Sequence, residues 1–556
     1  MNEKIIIYQI FTRLFGNRNQ TCKEWGALAE NGCGKMNDID ERVLKQIHGL
    51  GITHIWYTGV IRHATQTDYS RHGIPRQHPA VVKGKAGSPY AITDYYDIDP
   101  DLAVDVDHRM AEFDALLERT HKEGMKVVID FVPNHVARQY QSVAKPVGVH
   151  DLGEDDDPNM AFSAQNNFYY CPGQPFSPQF DLQQGAVKPY YEMPAKATGN
   201  DRFDPSPCVN DWYETVKLNY GIDYCDAGGR SYHFNPVPDT WKKMTDILLF
   251  WAARGVDAFR CDMAEMVSTA FWSYATNIVR ERYPHILFIG EVYDPGQYRN
   301  YIAAGFDYLY DKVGMYDCIR DVIAGCRPAS SITYQWQSTD DIHDHMLFFL
   351  ENHDEQRLAS DFFCGDALKG VPGLVVSALM RSNPFMLYAG QEYGEEAKEA
   401  EGFSGLDGRT TIFDYWSVES LRKGYYDRKK LSVGQKELEN AYSVVLNLAN
   451  NEAAIREGDF YDLMYVNGSV GDDVFAFLRK KDKELILVVA NFSDRMDMFN
   501  IVIPSHAFDW LGIPEDEYNA EELIGKGYAR LTLRKDNSVE VVLDAHEACA
   551  YKIVVK

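Results

Sequence analysis

The sequence has no excess of basic residues. Its 556 residues contain 56 Lys and Arg but 82 Asp and Glu, so the formal net charge is −26. A protein with this balance has few cations to replace the counterions of nucleic acid or of an anionic membrane surface, so we expect neither as a partner. Neutral and cationic ligands are compatible with the charge.

Long apolar runs and paired cysteines are also missing. No apolar run reaches the roughly 18 residues that a membrane span needs, and the ten cysteines show no C-x-x-C pair and no metal-ligand spacing. Such cysteines are typical of a reducing compartment. The opening "MNEKIIIYQIFTRLFG" suits a first strand better than a signal peptide, because no small-residue cleavage site follows an apolar core. We expect a cytoplasmic protein, although an exported protein in its mature form would look the same.

The glycine-rich dinucleotide fingerprint and the Walker loop are absent, which argues against an open-sheet nucleotide binder. What the chain does contain is a repeated unit of amphipathic helix, glycine or turn, and short apolar strand. Residues 37–50 have apolar side chains at helical spacing, Gly51 ends the helix, and the strand "ITHIWYTGV" follows. The same unit recurs at residues 107–132 and 241–262.

Eight apolar segments are strand candidates. In chain order they are "IIIYQIF", "ITHIWYTGV", "KVVIDFV", "VDAFRCD", "ILFIGEV", "FDYLYD", "MLFFLENHD" and "FMLYAGQE". Strands that alternate with helices favour a parallel sheet, and eight such units predict an α/β fold that closes into a (β/α)8 TIM barrel. The length exceeds what one hydrophobic core normally supports, so further folding units are expected.

Two stretches differ from the repeated unit. The connection after the third strand is far longer than an ordinary βα loop and is rich in Pro, Asn, Asp, Gly and Tyr, which predicts an inserted irregular domain. Near the C-terminus, short apolar runs separated by polar turns predict an antiparallel β-sandwich domain. The predicted boundaries are 1–133 and 231–454 for the barrel, 134–230 for the inserted domain and 455–556 for the C-terminal domain.

Polar side chains follow four of the predicted strands. They are Asp130, Asn134 and His135 after the third, Arg260 and Asp262 in the fourth, Glu291 after the fifth, and His353, Asp354 and Arg357 after the seventh. Each alone has an ordinary structural explanation as an ion pair, a helix cap or a surface acid. Because the carboxyl ends of barrel strands meet on one face, their placement on successive strands predicts a shared site.

The motifs "DFVPNH", "GVDAFRCDM", "GEVY" and "FLENHD" resemble, in this order, the four conserved regions of the α-amylase family of glycoside hydrolases, family 13. The resemblance covers nearly the whole chain and includes the family's inserted domain after the third strand and its C-terminal β domain. It implies a retaining cleavage of α-glucosidic bonds, with Asp262 as nucleophile, Glu291 as general acid and Asp354 as a third acid that holds sugar hydroxyls. No organic cofactor is implied.

Physical chemistry assigns the same roles. Retaining hydrolysis needs one carboxylate to attack the anomeric carbon and one carboxylic acid to protonate the leaving oxygen, at a separation of about 5–5.5 Å. Arg260 and Asp262 share one face of a strand, so the guanidinium is expected to keep Asp262 ionised as the nucleophile. Glu291 follows an apolar run, where desolvation and a neighbouring Asp354 would raise its pKa and favour the acid role.

Other residues are expected to bind the substrate. The resemblance implies that His135 and His353 hydrogen-bond the same glucosyl unit, and that Tyr90 in "SPYAITDYYDIDP" stacks on it. A core tyrosine is the alternative for Tyr90. Arg357 resembles an arginine of family members that act on short α-glucosides, and a solvated charge at a helix start is its alternative.

Three departures from the family pattern limit what the resemblance implies. Starch-cleaving members have a Lys-His pair after the nucleophile, where this chain has Glu265 and Met266, which favours short malto-oligosaccharides or a small α-glucoside over starch. The segment "VKLNYG" has Lys217 where the family has a calcium-binding Asp. Asn134 then remains as a calcium ligand without the Asp that would bind the ion with it. We expect the ammonium group of Lys217 to replace the usual structural calcium. The third departure is the absence of a proline at the end of the second strand, which indicates a reshaped loop.

Three functions stay open on the sequence. The first is a retaining hydrolase of malto-oligosaccharides or starch-like glucans. The second is a transglycosylase or glycosyltransferase that resolves the same covalent intermediate with a sugar or phosphate. The third is an inactive homologue that acts as a binding or scaffold protein, although such proteins usually lose one of the three acids. The sequence does not indicate the oligomeric state or the preference between α-1,4 and α-1,6 bonds.

Overall fold

The computed structural model describes residues 3–182, 188–224 and 226–556. Eight parallel strands form a closed barrel, in which β8 pairs with β1. The strands are β1 Ile6–Phe11, β2 His54–Thr58, β3 Lys126–Phe131, β4 Ala258–Cys261, β5 Leu287–Gly290, β6 Tyr308–Tyr310, β7 Met346–Phe349 and β8 Phe385–Tyr388. Each lies within one of the eight predicted segments, so the predicted TIM barrel is confirmed.

Alternate residues of these strands fill the barrel interior. The interior cluster includes Ile7, Val128, Ala258, Ile289, Leu347 and Met386. In β4, Ala258 belongs to this interior, whereas Phe259 and Cys261 pack into the surrounding core that contains the helices. Successive strand side chains point to opposite faces, so Arg260 points inward with Ala258 at the carboxyl end of the strand.

Helices alternate with the barrel strands. They are Thr12–Phe15, Leu28–Asn31, Glu41–Gly49, Arg109–Lys122, Asp239–Ala253, Thr269–Arg282, Tyr298–Ala303, Asp317–Ile323, Ser331–Ser338, Val371–Leu379, Glu419–Leu421, Val433–Asn451 and Ala453–Glu457. A further helix, Ser505–Leu511, lies between strands of the C-terminal part. The helix Glu41–Gly49 begins after Asp40, whose carboxylate accepts a hydrogen bond of 2.8 Å from the N–H of Val43. Gly51 follows that helix with φ 94°, a conformation that suits glycine.

Two segments between barrel strands contain strands that do not belong to the barrel. After β2, Ile61–His63 pairs with Ile92–Ile98. The segment after β3 contains His135–Ala137, Tyr170–Cys171, Ala195–Lys196, Thr215–Lys217, Ile222–Asp223 and Ser231–Tyr232. The first and fourth of these pair antiparallel and place His135 opposite Lys217. Few strands and much irregular chain agree with an inserted domain, and its predicted boundaries stay predictions.

Antiparallel strands form the C-terminal part. They are β9 Asp459–Asp462, β10 Val474–Lys481, β11 Glu484–Asn491, β12 Asp497–Ile503, β13 Asp516–Glu522, β14 Gly527–Leu533, β15 Asn537–Leu543 and β16 Ala548–Val554. Six of them pair in the order β9-β10-β11-β16-β13-β14, and β12 pairs with β15. The predicted β-sandwich is confirmed.

Two expectations about the whole chain concern helices and cysteines. Among the described residues, no helix combines the length and the apolar character needed to cross a membrane. No disulfide joins two of the nine cysteines in the described residues, whereas Cys225 lies outside the described part of the chain. The fold therefore depends on packing, with no cross-link among these nine positions.

Candidate active site

Arg260 stands at the centre of a group of acids at the carboxyl end of the barrel strands. Its Nη1 lies 2.8 Å from Oδ1 of Asp262, and its Nη2 lies 2.8 Å from Oε2 of Glu291. A guanidinium group is planar and holds its donors in a fixed fork, so the two carboxyl groups share one small space. The structure brings together the two acids that the sequence placed at the ends of β4 and β5.

One ion pair and two hydrogen bonds hold Glu291. Besides Arg260, the N–H of Met263 donates to Oε2 over 2.8 Å, and the hydroxyl of Tyr293 donates to Oε1 over 2.6 Å. Met263 has φ 44°, a left-handed conformation that is uncommon for a residue other than glycine. This sharp turn directly after Asp262 aims the Met263 N–H at Glu291, so the end of β4 itself positions the acid.

Burial shifts the pKa of Asp262. Desolvation raises this pKa well above its usual value, Arg260 opposes the shift, and the charge of Glu291 adds to it. Because desolvation and the guanidinium group act in opposite directions, the expectation that Arg260 keeps Asp262 ionised as the nucleophile stays a prediction.

Asp354 joins the group from the turn after β7. Its Oδ2 lies 3.0 Å from Nε2 of His353, and its backbone N–H donates to Oδ1 of Asn352 over 2.9 Å. Burial pushes the pKa of Asp354 upward, but His353 and Arg260 outweigh it, so the pKa lies below its ordinary value. This third carboxyl group is therefore ionised at neutral pH.

Tyr90 and His353 contact each other in the same space. The Tyr90 hydroxyl lies 2.5 Å from Nε2 of His353, and Nε2 of Gln9 lies 2.8 Å from its Nδ1. The Tyr90 ring also lies 5.5 Å from the Arg260 guanidinium. Tyr90 is thus buried, as a core tyrosine would be, and is also part of the predicted site. Its stacking on a sugar stays a prediction.

Aromatic rings and one further acid surround Arg260. Oδ1 of Asp130 lies 3.5 Å from its Nη1, while Oδ2 accepts a hydrogen bond of 3.1 Å from Nε1 of Trp56. The Arg260 Nε donates to the Tyr310 hydroxyl over 3.2 Å. The guanidinium carbon lies 5.2 Å from the Trp56 ring and 5.5 Å from the Tyr310 ring, within cation–π range. Strands β2, β3 and β6 thus fix its orientation.

His135 lies where the barrel meets the inserted segment. Its ring centroid is 5.3 Å from that of Trp212, and its Nδ1 is 3.1 Å from Nδ2 of Asn134. Desolvation lowers the pKa of His135 to about 3, and the charge of Lys217 adds to the shift. The imidazole is therefore neutral at neutral pH, and its contact with substrate stays a prediction.

Arg357 is buried among protein groups. Its Nη1 lies 2.9 Å from Oε2 of Glu351, its Nε donates to Oγ1 of Thr410 over 2.9 Å, and its Nη2 donates to the carbonyl oxygen of Ala389 over 3.1 Å. The guanidinium lies 3.8 Å from the Tyr388 ring centroid. The alternative of a solvated charge is wrong, because the side chain is 1% exposed. These contacts support the end of β8, and a contact with substrate stays a prediction.

Lys217 occupies the position between the barrel and the inserted segment where the resemblance implies calcium. Its ammonium donates to Oδ1 of Asn134, lies 2.5 Å from Oδ1 of Asp201 and donates to the carbonyl oxygen of Met266 over 3.4 Å. These oxygens do not fit a divalent cation, because a cation already fills the space between them. Desolvation lowers the pKa of Lys217, and Asp201 opposes the shift.

Metal ligands do not converge elsewhere in the described residues. Within 3–182, 188–224 and 226–556, no three His, Cys, Asp or Glu side chains are grouped to hold a metal ion. Asn134, the metal ligand predicted from the sequence, instead accepts a hydrogen bond from the ammonium group of Lys217. Its Nδ2 donates to the carbonyl oxygen of Gly199 over 2.8 Å.

Glu265, which replaces a substrate-contacting residue of starch-cleaving family members, binds the backbone after β5. Its Oε2 accepts hydrogen bonds from the N–H of Tyr293 over 2.8 Å and of Asp294 over 3.0 Å. Its carbonyl oxygen accepts a hydrogen bond of 2.9 Å from the Tyr301 hydroxyl. Glu265 thus holds the turn that carries Tyr293 against Glu291.

The sequence did not identify several residues of this site. Gln9, Trp56, Tyr293 and Tyr310 all contact the predicted residues. A polar Gln9 inside an otherwise apolar strand was a visible signal, and Tyr293 is the last residue of the "GEVY" motif. Trp56 and Tyr310 gave no signal, since an aromatic residue in a strand is most often a core residue.

Comparison with known sequences gives one family over most of the chain. The family model described as "Alpha amylase, catalytic domain" matches residues 9–414. The chain is 23% identical to alpha-amylase MalA of Haloarcula japonica over 499 residues, which cover 88% of this chain and 55% of that protein. It is 22% identical to the cyclomaltodextrin glucanotransferase of Geobacillus stearothermophilus over 525 residues, which cover 88% of this chain and 59% of that protein. The chain thus spans little more than half the length of these two relatives.

Solved structures share the fold. The structure of the alpha-amylase of Geobacillus thermoleovorans, determined with acarbose, matches this chain with a TM-score of 0.66 at 18% identity. The match covers 100% of this chain and 99% of that protein's chain. The alpha-amylase of Lactobacillus plantarum has a TM-score of 0.61 at 19% identity and covers 99% of both chains. At such low identity these structures support the architecture and no more.

Proposed function

The chain belongs to the α-amylase family of glycoside hydrolases, and from that premise we propose that it cleaves α-glucosidic bonds of malto-oligosaccharides with retention of configuration. One observation supports the proposal above all others: Arg260 holds Asp262 and Glu291 in one space, each 2.8 Å from a different nitrogen of the same guanidinium group. Retaining glycosidases hold their two carboxyl groups about 5–5.5 Å apart, and contact with one guanidinium group brings these two acids near each other.

The proposed reaction needs one of the two carboxyl groups protonated and the other ionised. Glu291 protonates the glycosidic oxygen while Asp262 attacks the anomeric carbon, which forms a covalent glycosyl–enzyme bond and releases the aglycone. Glu291 then removes a proton from water, whose oxygen attacks the same carbon and frees Asp262. Ionised Asp354 faces the positive charge that develops on the sugar ring, and Arg260 balances the charge of the released Asp262.

Short substrates fit this chain better than starch. The side chain of Glu265 is engaged with the backbone N–H groups of Tyr293 and Asp294, so it is not free to bind the leaving portion of a glucan. We therefore propose maltotriose-sized substrates. The relatives named alpha-amylase and the solved structures with acarbose or maltotriose support this class of ligand for their own chains.

Replacement of the nucleophile tests the proposal. Asp262→Ala should abolish release of reducing ends from maltotriose, and azide should restore part of the turnover by serving as a small surrogate nucleophile and giving a glycosyl azide. Asp366→Ala, at an exposed turn where the carboxylate accepts a hydrogen bond from the N–H of Leu368, is the matched control and should keep full activity. Undiminished turnover in the Asp262 variant would remove the proposed mechanism.

Transfer to a sugar acceptor is the second candidate. The cyclomaltodextrin glucanotransferase among the relatives indicates that transfer occurs in the family, and Glu265 and Met266 change the side where an acceptor would bind. Incubation with maltotriose alone distinguishes the two functions, because transfer gives products longer than the substrate and hydrolysis gives only shorter ones. A product series limited to maltose and glucose would exclude transfer as the main reaction.

A further inference from the structure

A second aromatic surface lies between the barrel helix Ser331–Ser338 and the C-terminal domain. It encloses a cavity of about 560 Å³, within the range of small-molecule sites. Its aromatic lining consists of Trp336, Phe460, Tyr461, Tyr465, His506 and Trp510, and we call it the aromatic groove. None of the strand-end acids contributes to it, so it is separate from the candidate active site.

Two exposed rings of the groove lie beside Tyr461, which is itself buried. The side chains of Trp510 and Tyr465 are 53% and 62% exposed. The Tyr461 ring centroid lies 5.7 Å from that of Trp510 and 6.3 Å from that of Tyr465. Exposed flat rings carry a negative π face, which attracts the partly positive C–H groups on the face of a pyranose ring.

Polar groups in the groove are suited to a neutral, hydroxyl-rich ligand. The Tyr461 hydroxyl lies 2.7 Å from that of Tyr465 and 2.9 Å from Nδ1 of His506. Within the described parts of the chain, Nε2 of His506 and the exposed amide of Gln337 make no hydrogen bond. The one carboxylate, Asp462, already accepts hydrogen bonds from Trp336 and Thr333, so no unsatisfied charge remains to recruit an ion.

We propose that the aromatic groove binds a neutral α-glucan chain as a second site outside the catalytic centre, an inference that rests on the proposed function for the identity of the sugar. A protein partner is the weaker fit, since none of the described lining residues is Leu, Ile, Val or Met. A chain held at both sites raises the effective concentration of substrate at the catalytic centre. Long glucans gain from this effect and maltotriose does not.

Two variants and one matched control test the groove. Trp510→Ala and Tyr465→Ala remove exposed rings, and Tyr528→Ala removes a ring that is 84% exposed elsewhere on the C-terminal domain. Each is made in the Asp262→Asn background, so that the probe is not cleaved, and is run on native gels that contain soluble starch. Both groove variants should lose retardation, with Kd for starch weaker on the order of tenfold, while the Tyr528 control keeps it.

Activity measurements separate this inference from the proposed function. In the active background, Trp510→Ala should leave kcat/KM for maltotriose unchanged and raise KM for soluble starch. Unchanged starch retardation in both groove variants would overturn the inference and leave the proposed function intact. Sedimentation of the groove variants and of the native chain gives a further test. A different oligomeric state in the variants would also overturn the inference, because the groove would then bind a second copy of the chain. A native chain that cleaves no malto-oligosaccharide would overturn the proposed function, whatever the gels show.

Discussion

Arg260 serves two acids with one guanidinium group, and this determines what single substitutions around it should do. Its Nη1 and Nη2 contact Asp262 and Glu291, while its Nε donates to the Tyr310 hydroxyl and Asp130 lies 3.5 Å from Nη1. A lysine at this position would keep the charge but lose the fork that sets the relative position of the two acids. The geometry of the pair therefore depends on a residue that does not itself react.

Tyr293 is a positioning residue whose removal should lower activity. Its hydroxyl donates to Oε1 of Glu291 over 2.6 Å, and this contact fixes the orientation of the carboxyl group. Tyr293→Phe should therefore lower kcat/KM for maltotriose on the order of tenfold. Initial rates with maltotriose measure this loss.

Tyr298→Phe is the matched control for this prediction. Its hydroxyl is buried and makes no hydrogen bond among the described residues. Its loss should therefore leave kcat/KM for maltotriose unchanged. If Tyr293→Phe behaves like this control, the contact with Glu291 has no catalytic effect.

At the scale of elements, the turns after the barrel strands carry the contacts that organise the site. The turn after β4 supplies the Met263 N–H, and the turn after β5 carries Tyr293, held there by Glu265. The strands were predictable because period-two alternation and glycine-ended helices are local signals. The turns were not, because Met263 and Glu265 act through backbone groups that are distant in sequence and leave no periodic pattern.

The junction of β3 with the inserted segment should be independent of divalent cations. The ammonium of Lys217 contacts Asn134, Asp201 and Met266, so a chelator should leave the Tm unchanged. Lys217→Met leaves these oxygens without their cation and should lower the free energy of unfolding by about 2 kcal/mol. Thermal unfolding with and without a chelator measures both.

Lys145→Met provides the control at this junction, since its ammonium pairs with Glu154 on the surface of the same segment. It should change stability by less than about 1 kcal/mol. A marked drop in Tm on chelation of the native chain would show that a metal ion binds there after all.

The end of β8 contains a buried acid that should make stability pH-dependent. Desolvation raises the pKa of Glu392 from 4.5 to about 7, against the hydrogen bonds from Tyr8 and Tyr425. Between these pH values the folded chain keeps a proton that the unfolded chain has lost, so stability falls as pH rises and levels off above about 7. Glu392→Gln has no proton to lose, so its stability relative to the native chain should grow by about 3 kcal/mol across that window.

Urea unfolding at about pH 5 and about pH 8 measures this change. The comparison uses the growth of the difference with pH, because the amide also places a donor against the N–H of Gly390 and adds a constant offset. Glu517→Gln, at an exposed acid on β13, should show no such growth. A constant gap for Glu392→Gln would mean that this carboxyl group titrates alike in both states.

For the whole molecule, Arg479 on β10 joins the C-terminal domain to the barrel. Its guanidinium donates to the carbonyl oxygens of Met380 over 2.6 Å, Ile455 over 2.9 Å and Gly458 over 2.7 Å. Arg479→Leu leaves three carbonyl groups without this donor and should lower the free energy of unfolding by about 3 kcal/mol. Calorimetry on the full chain measures the loss.

Arg530→Leu is the matched control on the same domain, because its pair with Glu517 is exposed to solvent. It should shift stability by no more than about 1 kcal/mol. Equal effects of the two variants would mean that Arg479 is not a structural link between the two parts.

The sequence predicted the architecture of the whole molecule better than its electrostatics. Eight strands and the acids Asp262, Glu291 and Asp354 followed from local patterns and their order along the chain. The direction of the Asp262 pKa shift did not, because desolvation depends on everything packed around the carboxyl group. Nor did the contact of Lys217 with Asp201, since Asp201 lies in an irregular stretch whose path no periodicity reveals.

The lysine between the barrel and its insertion also bears on where such a protein can work. A bound ion is lost when its concentration in the medium falls, and the junction it supports loosens with it. A charge attached to the main chain by a side chain is present in every molecule from the moment of synthesis and cannot diffuse away. If the ammonium at position 217 does this work, the junction keeps its cation in media rich in citrate or phosphate, where a released ion would be sequestered.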